Sequence, residues 1–214
     1  MEIKQRLLPD GRSNKPNKAM KPFYITVHET DNTDKGADAE RHANYMLNGS
    51  GGRQASWHFT VDDKQIFQHL RCNEQGWHAG DSKGKGNTQS IGIEICVNSD
   101  GDYDKALTNA AWLVSKLMND YNITIDRVVP HKHWSGKNCP QRLLKRWDDL
   151  IKLIKGDPVP TIAPAVDVYV NGVNIGKGDI VNGVTRCPVR SVAQALGAYV
   201  VYDPTIKRVD ITKK

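Results

Sequence analysis

Residues 90–97 read SIGIEICV, which places Ile91, Ile93, Ile95 and Val97 on one side of an extended strand and Ser90, Gly92, Glu94 and Cys96 on the other. A strand divided in this way must bury one face against an apolar layer and hold its small and acidic residues apart from it. The same period occurs upstream, where Phe23, Ile25 and Val27 alternate with Tyr24, Thr26 and His28, so that a histidine ends the strand on its polar side. WHFTV at 57–61 reads as a further strand. Apolar stripes at helical spacing lie between them: Ala39, Ala43, Met46 and Leu47 in one segment, Leu107, Ala111, Val114, Met118 and Tyr121 in a longer one. A third helix is expected just after Cys139, with Pro140 in its first turn and Leu143, Leu144, Trp147, Leu150, Ile151 and Ile154 on one stripe. Strands interleaved with helices imply an α/β domain, a central and mainly β-sheet flanked by helices.

The stretch KGDPVPTIAPA at 155–165 carries three prolines and has the composition of a stiff, extended linker. It divides the chain into a first domain over 1–156, a linker over 157–165 and a second, small α+β domain over 166–214. In the second domain VDVYVNG, the segment near VTRCPV, AYVVYD and RVDIT read as strands, and SVAQALG as a helix ending at Gly197. About fifty residues is near the lower limit for independent folding.

Several function classes are disfavoured by composition. The net charge of +6 is spread along the chain without a basic helix or an aromatic-and-basic signature, so no nucleic-acid partner is expected. No apolar run approaches a membrane span, and the first twenty residues lack the apolar centre of a secretory signal, so synthesis in the cytoplasm without general export is expected. Cys72, Cys96, Cys139 and Cys187 form no C-x-x-C pair and suggest neither a disulfide framework nor a zinc ribbon.

VVPHKHWSGKNCP, residues 128–140, sets His131, His133 and Cys139 in a stretch without helical or strand period. An imidazole and a thiolate eight residues apart do not match a closed structural zinc site, so a third ligand must come from elsewhere. His28, at the end of a rigid strand, is the leading candidate. Two histidines and one thiolate leave a tetrahedral zinc one free position, where bound water reaches a pKa of about 7 and hydrolysis becomes accessible. Glu94, with the small Gly92 and Cys96 on its face, has the room a general base needs, and Lys137 could place a positive charge beside an oxyanion. Plainer readings stand beside these: a polar strand end, a buried thiol, a surface carboxylate, a solvated lysine. Spacing alone does not choose between His131 and His133, and a closed structural zinc site would have only His133 as a nearby fourth ligand. Trp57, His58, Trp77 and His78 are candidates to line a cleft, while His42 and His69 read as surface or structural.

Five segments, FYITVHET, ASWHFTVDD, GWHAG, NTQSIGIEIC and HKHWSGKNCP, in this order and spacing, closely resemble the zinc-dependent N-acetylmuramoyl-L-alanine amidases of the phage-lysozyme and peptidoglycan-recognition-protein superfamily, especially phage endolysins of Gram-positive hosts. The resemblance covers roughly residues 1–155. It implies zinc held by His28, His131 and Cys139, with Glu94 and Lys137 as catalytic partners and bacterial peptidoglycan as substrate. It also implies action outside the cell on the wall, reached after membrane permeabilisation, with a non-catalytic peptidoglycan-binding module as the alternative. Some members carry a catalytic tyrosine where Trp57 stands here; tryptophan exchanges no proton, which puts more of the acid–base work on Glu94. The last fifty residues resemble the small domain named for the N-terminal region of copper amine oxidases, through VYVNG, PVRSVAQALGAYVVYD and RVDIT. That resemblance implies a wall-attachment or spacer module, with anionic wall polymers as its partner and no copper, since the segment has no histidine.

Overall fold

The structure, a computed structural model, describes residues 2–156, 162–181, 184–205 and 207–213. The chain divides into two compact units, Met1–Pro158 and Val159–Lys214. Of the expected linker, residues 157–161 lie outside the described residues, and 162–165 belong to a strand of the second unit.

The first unit is built on six strands: β1 (Ile3–Gln5), β2 (Tyr24–Glu29), β3 (Phe59–Val61), β4 (Ile66–Gln68), β5 (Ser90–Ile95) and β6 (Val128–Pro130). They form one sheet in the order β1-β4-β3-β5-β2-β6. Only β3 and β4 pair antiparallel; the remaining neighbours run parallel. Alternation in β2 and β5 gives the sheet an apolar side. Ile25, Val27, Ile91, Ile93 and Ile95 are fully buried there, in a core shared with Leu107, Ala110, Leu113 and Val114 of α3 (Tyr103–Tyr121) and Leu150 of α5 (Trp147–Lys155). On the opposite side α1 (Ala39–Leu47) packs Ala39 and Ala43 against Phe67 and Cys96. Asp38 starts that helix by accepting the Arg41 N–H at 2.9 Å. Two short helices, α2 (Lys85–Gln89) and α4 (Lys132–Ser135), complete the unit.

The helix expected directly after Cys139 begins later, at Trp147, behind a 3-10 turn over Leu143–Arg146. The buried Glu29 carboxylate anchors the chain there by accepting the N–H groups of Arg142 at 2.8 Å and Leu143 at 3.2 Å, and the break before the helix falls at Arg146, whose φ of −128° and ψ of 22° are not helical. β1 and β6 carry too few residues to show a period, and α4 occupies part of the stretch read as irregular.

The second unit has a three-stranded antiparallel sheet, β7 (Ile162–Val170), β8 (Val173–Val181) and β9 (Val184–Arg186), and an antiparallel pair, β10 (Ala198–Asp203) and β11 (Arg208–Lys213). Its helix α6 (Val189–Ala195) ends before Gly197, which has φ +76°. No helix of the described residues is long and apolar enough to cross a membrane.

Candidate metal centre

In a largely parallel sheet the polar groups at strand carboxyl ends meet at one edge. β2 pairs with β5 on one side and β6 on the other, and the register sets His28 opposite Glu94. His131 follows β6 at once, its N–H donating to the Val27 carbonyl at 3.2 Å. The chain then passes through α4 and turns at Gly136, whose φ of +74° suits glycine. The Lys132 N–H donates to the Cys139 carbonyl at 3.0 Å and brings the thiol back beside His131.

His28, His131 and Cys139 are all buried, and their donor atoms lie within 4.8 Å of one another. His28 Nδ1 is 3.0 Å from His131 Nδ1, 3.9 Å from Cys139 Sγ and 3.9 Å from Glu94 Oε1. Burial, followed by repulsion from His78, His131 and Lys137, holds His28 well below the usual histidine range. Burial and Lys137 lower His131 as well, so the surroundings of both rings favour neutral imidazole, the form that can bind a metal. Burial and the Glu94 charge push the Cys139 thiol up to about 12, so this pocket sustains a thiolate only beside a cation. Glu94 is raised well above the carboxylate range by burial, with Lys137 pulling the other way, and its Oε2 is buried without a hydrogen-bond partner. Two ring nitrogens facing each other, a thiol that needs a cation to ionise and an unsatisfied carboxylate oxygen together fit a bound divalent metal. His133 is not part of this set: it is exposed, with its ring against Trp134 at 4.6 Å.

The cluster forms part of the wall of a cleft of about 500 Å³ that Glu94, Lys137, Trp57 and His78 also line. Trp57 Nε1–H donates to Thr60 Oγ1 at 2.7 Å, and its ring stacks on Tyr45 at 6.5 Å. Two residues read from sequence as cleft-lining candidates stand elsewhere. His58 is completely buried: its Nε2 donates to the Glu74 carbonyl at 2.8 Å and its Nδ1 accepts the Gly92 N–H at 3.0 Å, which leaves no group to meet a ligand. Trp77 bridges Ser56 through its backbone and does not line the cleft. Arg41, His42, Tyr45 and Arg53, by contrast, do line it. Arg41 and Tyr45 stand four apart on α1, so the helix turns part of its polar stripe to the cleft. That spacing was the available signal.

Two imidazole donors and one thiol, gathered at parallel strand ends beside a carboxylate and on the wall of a cleft, form a donor set that fits a metal site of the open, three-ligand kind. Comparison with known proteins gives the family: Amidase_2, described as N-acetylmuramoyl-L-alanine amidase, matches residues 18–142, and the chain belongs to it. XlyA of Bacillus subtilis (strain 168), an N-acetylmuramoyl-L-alanine amidase, is 47% identical over 209 residues, spanning 98% of this chain and 66% of XlyA. CwlH of the same organism, of the same description, is 54% identical over 159 residues, 74% of this chain and 63% of CwlH. The chain thus spans just under two thirds of the length of these relatives. The solved catalytic domain of XlyA superposes with a TM-score of 0.69 at 55% identity, covering 72% of this chain and 99% of that domain.

Proposed function

We propose that the protein is a zinc-dependent N-acetylmuramoyl-L-alanine amidase, hydrolysing the amide between the lactyl group of N-acetylmuramic acid and the L-alanine of the peptide stem in bacterial peptidoglycan. The observation that carries the reading is the three-donor cluster with Glu94 Oε1 3.9 Å from His28 Nδ1, on the wall of a cleft. His28, His131 and Cys139 would hold the metal. When bound, zinc supplies Lewis acidity, which polarises a carbonyl and lowers the pKa of water toward about 7.

Glu94, which a cation held by the three donors would keep ionised against its burial, takes the proton of the attacking water as the new carbon–oxygen bond forms, and delivers it to the departing amine as the carbon–nitrogen bond breaks. Lys137 sets its charge toward the oxyanion of the tetrahedral intermediate. The products are a lactyl carboxylate on the sugar and a free amino terminus on L-alanine. Tyr45 and Trp57 offer aromatic surface to the substrate, and Arg41 and Arg53 offer positive charge to the carboxylates of an acidic stem. Residues 166–214 serve attachment to the wall, with anionic wall polymers as the partner.

Digestion of purified murein, followed by mass spectrometry, tests the reading. New N-terminal L-alanine, with intact disaccharides carrying a lactyl carboxylate, is the expected product. Binding to murein without release of amino termini would instead make the protein a peptidoglycan-binding module.

A further inference from the structure

On the Nε2 side of His28 stands a second imidazole whose hydrogen bonds run in one direction. His78 Nε2 lies 3.2 Å from the Ser90 carbonyl oxygen, and His78 Nδ1 lies 3.0 Å from His28 Nε2. A carbonyl oxygen only accepts, so the proton of this contact is on His78 Nε2. A neutral imidazole has one N–H, which leaves a lone pair on His78 Nδ1. That lone pair can be met only by a proton on His28 Nε2. The remaining nitrogen of His28, Nδ1, then has its own lone pair free, and it is this atom that faces His131 Nδ1 at 3.0 Å and Cys139 Sγ at 3.9 Å.

We propose that His78 is a positioning residue which, hydrogen-bonded between the Ser90 carbonyl and His28 Nε2, locks His28 in the tautomer that presents Nδ1 to the metal. The inference rests on the metal-centre reading above. Metal-bound histidines are commonly oriented through their second nitrogen by a carboxylate or a backbone carbonyl. Here the carbonyl acts at one remove, through an intervening imidazole.

The surroundings hold His78 in place. Its N–H and that of Ala79 both donate to Asn87 Oδ1, at 2.9 and 2.8 Å. Its ring lies over Gly92, where a Cβ would come within 2.8 Å of the ring's Cγ and Nδ1. The glycine between Ile91 and Ile93 is therefore the space that this imidazole fills. The rings of His28 and His78 meet edge to face, with centroids 5.1 Å apart at 84°.

The test begins with the full chain stripped of metal, so that it reads neither catalysis nor substrate. Long-range ¹H–¹⁵N correlation of the imidazoles should find the proton on Nε2 in both His28 and His78; a proton on Nδ1 of either ring overturns the proposal. Two variants then separate hydrogen bonding from space filling. His78→Asn keeps an acceptor near the place of Nδ1, whereas His78→Leu fills more of the volume with none. Zinc affinity, measured by competition with a chromophoric chelator, should fall about 10- to 100-fold in the leucine variant, with the asparagine variant clearly tighter than the leucine one. A leucine variant that binds zinc as tightly as the asparagine variant would reduce His78 to packing. If His78→Leu does not fold, the tautomers of the unsubstituted protein still decide the matter. Absence of amidase activity would leave both readouts intact, so failure of this inference and failure of the proposed function are distinguishable.

Discussion

The two faces of the sheet in the first unit are made by the same strands and do opposite work. On one face Ile25, Val27, Ile91, Ile93 and Ile95 are fully buried against α3 and α5. On the other face of the same strands stand Thr26, His28, Ser90 and Glu94, also buried or nearly so, but polar, with Gly92 among them. Apolar burial contributes roughly 25 cal/mol per Å², while polar burial contributes little and costs several kcal/mol wherever a partner is missing. The difference teaches that the candidate metal centre is supported by its reverse side. A carboxylate with an unpaired oxygen and a thiol held neutral are tolerable because the apolar face offsets them.

The largest effect expected on the polar face is loss of the metal. His131→Ala and Cys139→Ser should each come through dialysis against a weak chelator without zinc and without activity, while keeping the far-ultraviolet circular dichroism of the parent. His133→Ala, whose ring stands outside the cluster, should retain the metal. Zinc lost from His133→Ala and kept in His131→Ala would reverse the ligand assignment.

The apolar face should answer in stability alone. Ile93→Ala removes a fully buried side chain from the centre of β5 and should cost about 2–5 kcal/mol in urea unfolding. Turnover per folded molecule should stay within a few-fold of the parent. If turnover fell as far as it does on removal of Glu94, the two faces would not be separable in the way described.

Glu94→Gln keeps the shape of the side chain and removes the proton acceptor. Turnover should drop by at least about two orders of magnitude, roughly 2.7 kcal/mol in the barrier, with zinc content unchanged. A variant that kept most of its activity would take the base away from Glu94.

The same contrast explains what could be read from the chain. The apolar face was legible because a period of two over six or more residues is a strong signal, as in YITVHE and SIGIEI. Room beside Glu94 was legible too, since Gly92 and Cys96 are small. The occupant of that room was not. His78 reaches Gly92 through the close packing of a loop over β5, and no periodicity encodes a 2.8 Å approach. His131 and Cys139 stand eight apart and meet because backbone hydrogen bonds, from Lys132 to Cys139 and from Gly136 to Lys132 among them, fold the chain between them; residue spacing left that open and resemblance to a family supplied it. The anchoring of the chain ahead of α5 was hidden because Glu29 lies more than a hundred residues upstream of the N–H groups it captures.

The smallest effect concerns pH and comes from histidines buried in the polar layer. Burial lowers His58 to about 4 and His69 to about 3, against an ordinary value near 6.5. Below pH 6.5 the unfolded chain therefore takes up protons that the folded chain refuses. The stability these neutral rings allow is present above pH 6.5 and is lost as pH falls toward their folded values, by about 1.4 kcal/mol per pH unit for each ring. Carboxylates titrate over part of the same range, so the comparison must isolate one imidazole. His69 suits this: Thr60 is its only side-chain hydrogen-bond partner among the described residues, and it is not one of the three candidate metal donors. In chelator-treated protein, His69→Gln should shift stability at pH 7 by a constant amount and make the decline between pH 6.5 and 4 shallower by one histidine's share. Parallel urea-unfolding curves for parent and variant across that range would mean that His69 takes up its proton without unfolding, and that the polar layer is more open to water than its burial implies.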